Sequence, residues 1–318
     1  MAKRKIYRYP LYILARLGAW FVCLMPRALA LRVARPVGAL VYHTVPRYRE
    51  QTLENLRNAF GDEKSEREIR VMARHVFENL AVTAAEILQF PKLTYDKIAE
   101  LVDSREAFAV YDELLKEGKG LISITAHVGN WELLAGIFAS SNRYRGAVLA
   151  RRVRYEPFNR WIVSLRGGLG VRTIYRDRAG REIMSRLAQN ECVGLLPDQD
   201  VDSLRGIFVD YFNRPAYTAV APVKLALASG APIICNFLVR KPDGGYRMVM
   251  GDTIRPQVTT TRDHAIRKYT QQWMRNFEKV IRKYPEQWAW MHNRWKTLPS
   301  ERIETVGNGS PSALLASG

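Results

Sequence analysis

The chain predicts an α/β fold: a mostly parallel mixed sheet flanked by helices, preceded by an apolar N-terminal helix suited to anchoring at a membrane. Three observations carry this. From residue 104 onward, short apolar runs alternate with amphipathic stretches of helical spacing, the pattern of parallel strands joined by crossover helices. Two late runs are joined by the turn KPDGG, which fits an antiparallel pair near the end of the sheet. Near the start, LYILARLGAWFVCLM (11–25) is apolar apart from Arg16 and follows the basic MAKRKIYRYP.

That first run is shorter than the roughly twenty residues that cross a bilayer upright. No small-residue cleavage site closes it; Pro26-Arg27 follows, then a second semi-apolar stretch, ALALRVARPVGALVYHTV. A buried amphipathic helix is one reading. The favoured one is an uncleaved anchor over 1–46, spanning the membrane or lying in its interface. Lys3, Arg4, Lys5 and Arg8 would then face the cytoplasm.

Residues 50–90 carry apolar side chains at three- and four-residue spacing, as in Phe77, Leu80, Ala84 and Leu88, and read as helices stopped by Pro91. REAFAVYDELLKEG is a helix with Gly118 as its C-terminal cap. LISITA (121–126) is a strand, with a helix from 131. GAVLAR, VRTIYR and CVGLLP are further strands, separated by the helices EPFNRWIVSLR and AGREIMSRLAQN. AYTAVAPVKLALAS reads as a helix ending at Gly230, before the strands APIICNFLVR and YRMVMGD. HAIRKYTQQWMRNFEKVIRKY is a final amphipathic helix leading into PEQWAWMHNRWKT. The tail 299–318, rich in Ser, Gly and Asn, reads as disordered.

The 318 residues are 47% hydrophobic and 25% charged, which excludes a disordered chain and a polytopic membrane protein. A net charge of +18 predicts anionic partners without choosing among them. Cys23, Cys192 and Cys235 are odd in number and widely spaced in apolar runs, so they read as reduced; no spacing suggests a metal site.

ITAHVGNWELLAG (124–136) is the stretch that points to chemistry. Ligands of open α/β sheets sit beyond the carboxyl ends of the strands, where LISITA places His127. Gly129 permits a tight turn, Asn130 is a good N-cap, and Glu132 falls in the first turn of the helix. Folded back across the turn, that carboxylate would fix the tautomer of His127 and stabilise its imidazolium. The amides at the helix start would suit a phosphate or an oxyanion. With no Gly-x-Ser-x-Gly elbow, such a histidine would activate the hydroxyl of a bound acceptor, or a water. The alternative is a structural histidine whose neighbour merely favours the helix dipole.

His-x4-Glu at a strand-to-helix turn resembles the first motif of the lysophospholipid acyltransferase superfamily, and its glutamate is similar to the lipid A late acyltransferase branch. The likeness runs from about residue 10 to 298. TLENLRNAF, RVRYEPFNRWIVSLRGGLG, LLPDQD, PAYTAVAPVKLALASGAPIICNFLVR and PEQWAWMHNRWKT resemble successive blocks of that family. Two departures stand out: Asn213 where glycine is frequent, and Asp202-Ser203 after the aspartate motif. The resemblance implies an acyltransferase domain over 47–298. It would move a fatty acyl chain from an acyl carrier protein thioester to a hydroxyl of a lipid A precursor, with no bound cofactor or metal. It makes His127 the base and Glu132 its orienting partner. Arg166 and Arg152 would serve the oxyanion or a phosphate, and Asp198 and Asp200 would orient arginines or hydroxyls. The implied location is the cytoplasmic face of a bacterial inner membrane.

Between Arg143 and Arg186 stand twelve arginines, no lysine and three acidic residues. Arginine forks suit phosphates and carboxylates, and the same surface would steer an acidic carrier protein. Trp288, Trp290 and Trp295 read as core, with an interfacial belt as the alternative. Another lipid acceptor (a lysophospholipid, aminolipid or glycolipid) is the nearest competing function. A lipid thioesterase is a different class. A nucleic-acid-binding protein would leave both the apolar N-terminus and the His-to-Glu turn unexplained.

Overall fold

The computed structural model describes residues 8–176, 179–201 and 203–299. The expected disordered tail, apart from Pro299, and the basic residues Lys3, Arg4 and Lys5 lie outside these.

Helices α1 (Arg8–Leu24) and α2 (Arg27–Thr44) are separated by a bend at Met25-Pro26. Among the described residues no helix is long and apolar enough to cross a membrane. Next come α3 (Pro46–Phe60) and α4 (Glu66–Leu88). Ser65 and Glu68 form a reciprocal capping box at the start of α4. Helix α2 lies flat on α4, burying Ala30, Ala34 and Gly38. A Cβ on Gly38 would meet the Phe77 carbonyl oxygen at 2.5 Å, so only glycine allows this approach.

Two elements not read from the sequence follow, α5 (Tyr95–Leu101) and β1 (Val102–Asp103), and then the expected alternation: α6 (Arg105–Leu115), β2 (Leu121–Ile124), α7 (Trp131–Ser140), β3 (Gly146–Ala150), α8 (Glu156–Gly167), β4 (Thr173–Tyr175), α9 (Ala179–Ala188) and β5 (Cys192–Leu195). Then follow β6 (Gly206–Tyr211), β7 (Arg214–Ala219), α10 (Ala221–Ser229), β8 (Ile233–Arg240), β9 (Tyr246–Ile254) and α11 (Arg262–Lys283). Seven strands form one sheet in the order β1-β9-β8-β2-β5-β3-β4. Every pairing in it is parallel except β8 with β9, the expected antiparallel pair.

The period of two along β8 sorts the layers. Ile233, Cys235, Phe237 and Val239 join the large core with α9, α10 and α11. Ile234 and Leu238 face the opposite way, toward the clusters that hold Tyr111 of α6 and Leu133, Leu134 and Ile137 of α7. Trp288 and Trp290 are buried in the large core, and Trp295 packs against it.

One expectation fails. Residues 216–219 are not helix but strand β7, paired antiparallel with β6 in a separate hairpin. Its two-residue turn, Phe212-Asn213, has φ of 53° and 57°, both left-handed. Such a turn matches the twist of the strands it joins. Asn213 adopts this backbone readily. Phe212 does so because its ring is buried against Phe60, Tyr211 and Trp290, with the Arg282 guanidinium 4.6 Å from its centroid.

Candidate active site

His127 follows the carboxyl end of β2, and its neighbours are fixed by backbone bonds on three sides. Its amide donates to Asp198 Oδ2 at 2.8 Å, and its carbonyl accepts from the Ala289 amide at 3.0 Å. Gly129, with φ of 61°, donates to the Gln287 carbonyl at 2.9 Å. A Cβ there would lie 2.0 Å from the Leu238 carbonyl oxygen, so the glycine is obligatory. Asn130 caps α7, its side-chain oxygen accepting from the Leu133 amide at 2.9 Å.

The His127 ring is oriented by Asp198, not Glu132. Nδ1 lies 2.8 Å from Asp198 Oδ1, and Gln199 Nε2 approaches the same nitrogen at 3.3 Å. Asp198 Oδ2 also accepts from Trp288 Nε1 at 2.8 Å, so both carboxylate oxygens are committed. Burial opposes the charged form of Asp198. The charge and hydrogen bonds of His127, with the Trp288 N–H, outweigh it and hold the carboxyl at about 2. Burial likewise opposes a charged His127. Asp198 by charge and hydrogen bond, with Glu132 adding, raises the imidazole above its ordinary value, against the opposing charge of Arg166.

Glu132 is held instead by Arg166, through a fork of Nε to Oε2 at 2.7 Å and Nη2 to Oε1 at 2.5 Å. Both side chains are largely buried, at 14% and 19% exposure. The pair stands beside His127, and the bidentate geometry leaves Arg166 Nη1 outside it.

A cavity of about 830 Å³ opens at these residues, well within the roughly 300–1,000 Å³ of small-molecule sites. It runs between α7 and the face of the sheet formed by β2, β5 and β3. Trp131, Ala135 and Ala139 line it at helical spacing, a length of about 12 Å at 1.5 Å per residue, and Asn142 lines it just beyond the end of α7. Ser123, Cys192 and Gly194 form part of the opposite wall, and Tyr111, Phe138 and Tyr144 crowd its deeper part. Tyr111 stacks on Phe138 at 4.1 Å, and its hydroxyl donates to Ser123 at 2.7 Å.

Arginines line this cavity as well: Arg151 and Arg176 just past the carboxyl ends of β3 and β4, and Arg145 and Arg172 at their amino ends. Arg166 is the one expected from the motifs. Arg152 is not brought to the cavity; it lies over the Tyr175 ring and 3.4 Å from Glu156. Asp200 is not brought there either. It is buried and accepts from the Thr297 amide and hydroxyl, both at 2.9 Å, which fastens the C-terminal segment. Of the expected set, His127, Glu132 and Arg166 line the cavity, and Asp198 buttresses them from behind. Trp288, read from the sequence as a core residue, reaches Asp198 with its indole N–H from that core position, a role the motif reading did not assign. Its only sequence signal is the aromatic-rich PEQWAW.

Comparison with known proteins adds a second line. The family model described as bacterial lipid A biosynthesis acyltransferase matches residues 1–297. Over 154 residues the chain is 27% identical to a phosphatidylinositol mannoside acyltransferase of Mycobacterium tuberculosis (strain ATCC 25618 / H37Rv), covering 47% of this chain and 48% of that protein. Over 159 residues it is 26% identical to a protein of the same description from Mycolicibacterium smegmatis, covering 48% and 51%. The chain thus spans about half the length of these curated relatives.

Proposed function

This chain belongs to the bacterial lipid A biosynthesis acyltransferase family, and from that premise we propose that it transfers a fatty acyl chain from an acyl carrier protein thioester to a hydroxyl of a Kdo-bearing lipid A precursor. The observation that carries the reading is a histidine with a carboxylate on Nδ1, set at the mouth of a long, largely apolar cavity rimmed by arginines.

With Nδ1–H donated to Asp198, Nε2 is the basic nitrogen. It takes the proton of the acceptor hydroxyl as that oxygen attacks the thioester carbonyl. The Asp198 carboxylate stabilises the imidazolium that forms. The tetrahedral oxyanion is held by a donor already in place, for which Arg166 Nη1 is the candidate. Collapse breaks the C–S bond, and the imidazolium returns its proton to the departing thiolate. The acyl chain lies along α7. Arg145, Arg151 and Arg172, which make no ion pair among the described residues, supply positive charge for the acidic donor and acceptor.

We place the enzyme on the membrane through α1 and α2 lying in the interface, not crossing it. Leu14, Leu17, Trp20 and Phe21 of α1 and Leu40 of α2 are all more than half exposed, an unusual concentration of bare apolar surface. The cytoplasmic face of the inner membrane is where such an acceptor and carrier protein meet. A second reading, another glycolipid acceptor, is favoured by the phosphatidylinositol mannoside acyltransferases among the relatives.

The deciding experiment is mass spectrometry of lipid products. Wild type and His127→Ala are given mixed carrier-protein thioesters, with the lipid A precursor and a phosphatidylinositol mannoside in parallel. An acyl mass gained on the precursor, lost by about 10²–10⁴-fold in His127→Ala, supports the reading. Gain on the mannoside alone moves the acceptor. Free fatty acid alone makes the protein a thioesterase.

A further inference from the structure

Behind the catalytic turn, on the side away from the cavity, lies a buried charged cluster centred on Glu86 of α4. Glu86 is 5% exposed, and both of its oxygens are committed. Oε1 accepts from Arg27 Nη2 at 2.8 Å; Oε2 accepts from Arg240 Nη2 at 2.6 Å and from Asn130 Nδ2 at 3.1 Å. Arg240, 7% exposed, also reaches the Thr83 hydroxyl at 3.1 Å, and that hydroxyl donates to the Gly129 carbonyl at 2.9 Å.

Two consecutive residues of the turn that carries His127 are therefore gripped from α4. The grip on Asn130 is directional. Its Nδ2 donates to Glu86 and to the Tyr246 hydroxyl, so its Oδ1 is the atom left to cap α7 at the Leu133 amide. Turning the amide over would set a donor against that amide and an acceptor against a carboxylate. Glu86 thus fixes the orientation of the cap, the cap fixes the first turn of α7, and that turn carries Glu132 and its fork to Arg166. A buried carboxylate with two arginines is costly to desolvate and is not, by itself, a device for stability.

We propose that Glu86 is a positioning residue for the transfer reaction: it acts through Asn130 to hold the His127 turn and the Glu132–Arg166 pair in working geometry. This rests on the acyl-transfer reading of the site. Neither Glu86 nor Asn130 lines the cavity, so substrate binding is not its task.

The test is a swap. Glu86→Gln removes the charge, and Asn130→Asp keeps the capping oxygen while replacing the donor toward Glu86 by an acceptor. Each single variant is expected to lower kcat about 10- to 100-fold, the scale of a misplacement near 1 Å, with KM for the thioester within about twofold of wild type. In Glu86→Gln/Asn130→Asp the amide at position 86 donates to the carboxylate at position 130. The negative charge moved to position 130 stays beside Arg240, which loses its acceptor on position 86, and an oxygen still caps Leu133. The double variant is expected to recover most of the lost kcat. A structural role alone predicts a lowered melting temperature with kcat retained below it, and no recovery in the pair; either result overturns the proposal. The His127 ring signal of ¹³C-histidine-labelled protein, assigned with His127→Gln, gives a readout that needs no acceptor. It should move in each single variant and return in the double. If it does so while no acceptor is acylated even by wild type, the functional reading has failed and the positioning stands. If it stays fixed in both single variants, the positioning has failed.

Discussion

Asp198→Asn is the sharpest perturbation of this site, because the geometry dictates what an amide must do there. Oδ2 faces two fixed donors, the His127 amide and the Trp288 indole N–H, each at 2.8 Å. The amide oxygen has to take that position, since an NH₂ group there would oppose both donors. The NH₂ group then faces His127 Nδ1, which must accept. The ring proton is driven to Nε2, the nitrogen that should receive the substrate proton. The variant therefore keeps its shape and holds the wrong tautomer. The corresponding substitution in a serine protease triad costs about 10⁴-fold in kcat. Here the base also loses a carboxylate that stabilises its imidazolium, so a loss of about 10²–10⁴-fold in kcat/KM is expected, or about 3–5 kcal/mol of barrier. The pH profile has a definite sign. Asp198 raises the His127 imidazole above its ordinary value, and a base must be neutral to act. The acid limb of wild type should lie above the usual histidine value near 6.5 and fall away as pH drops through it. In the variant, burial is left to dominate, and the limb should move to lower pH. The assay is initial rate against pH with a fixed carrier-protein thioester, alongside circular dichroism to confirm folding. A folded variant within about threefold of wild type, or an unmoved limb, would refute the argument.

Three further outcomes follow from the geometry. Glu132→Gln and Arg166→Gln should each reduce activity, and the double variant should be no worse than the more damaged single one, because each strands the other member of one pair; additive losses in kcat/KM would show separate roles. Ala139→Leu, on the cavity-lining face of α7, should shift transfer toward shorter acyl donors without lowering the rate on the shortest, as read by product mass; an unchanged chain profile would place the acyl chain elsewhere. Leu17→Glu with Phe21→Glu on exposed α1 should release the protein from vesicles containing anionic lipid in a sedimentation assay, while activity on detergent-dispersed substrate persists; retention on the vesicles would remove α1 as the seat.

The strand-and-helix order was legible because each parallel strand is an unbroken apolar run and each crossover helix has a stripe. His127 was legible because a histidine between a buried strand and a Gly-Asn turn has no packing purpose. Its partner was not. Glu132 is near in sequence, but helix α7 carries it toward Arg166, whereas Asp198 arrives from 71 residues away at the end of the neighbouring strand. Strand adjacency, here β2 beside β5, is what decides such a pairing, and a single sequence leaves it open. The β6–β7 hairpin was missed for a different reason. Phe212 occupies a left-handed turn position where glycine or asparagine would have announced it, and the apolar residues after it continue smoothly into α10. Glu86 gave no signal at all, being one glutamate among others on an amphipathic helix.

The Trp288 bond to Asp198 has a consequence for how the protein is made. Asp198 lies 71 residues after His127, and Trp288 another 90 beyond that. At about 5–20 residues per second, roughly 10–30 s of translation separate the appearance of the histidine from that of the indole that completes its surroundings. The apolar α1, in contrast, precedes all three residues in the chain. A nascent chain thus exposes α1 well before the indole that completes the surroundings of His127 has been made.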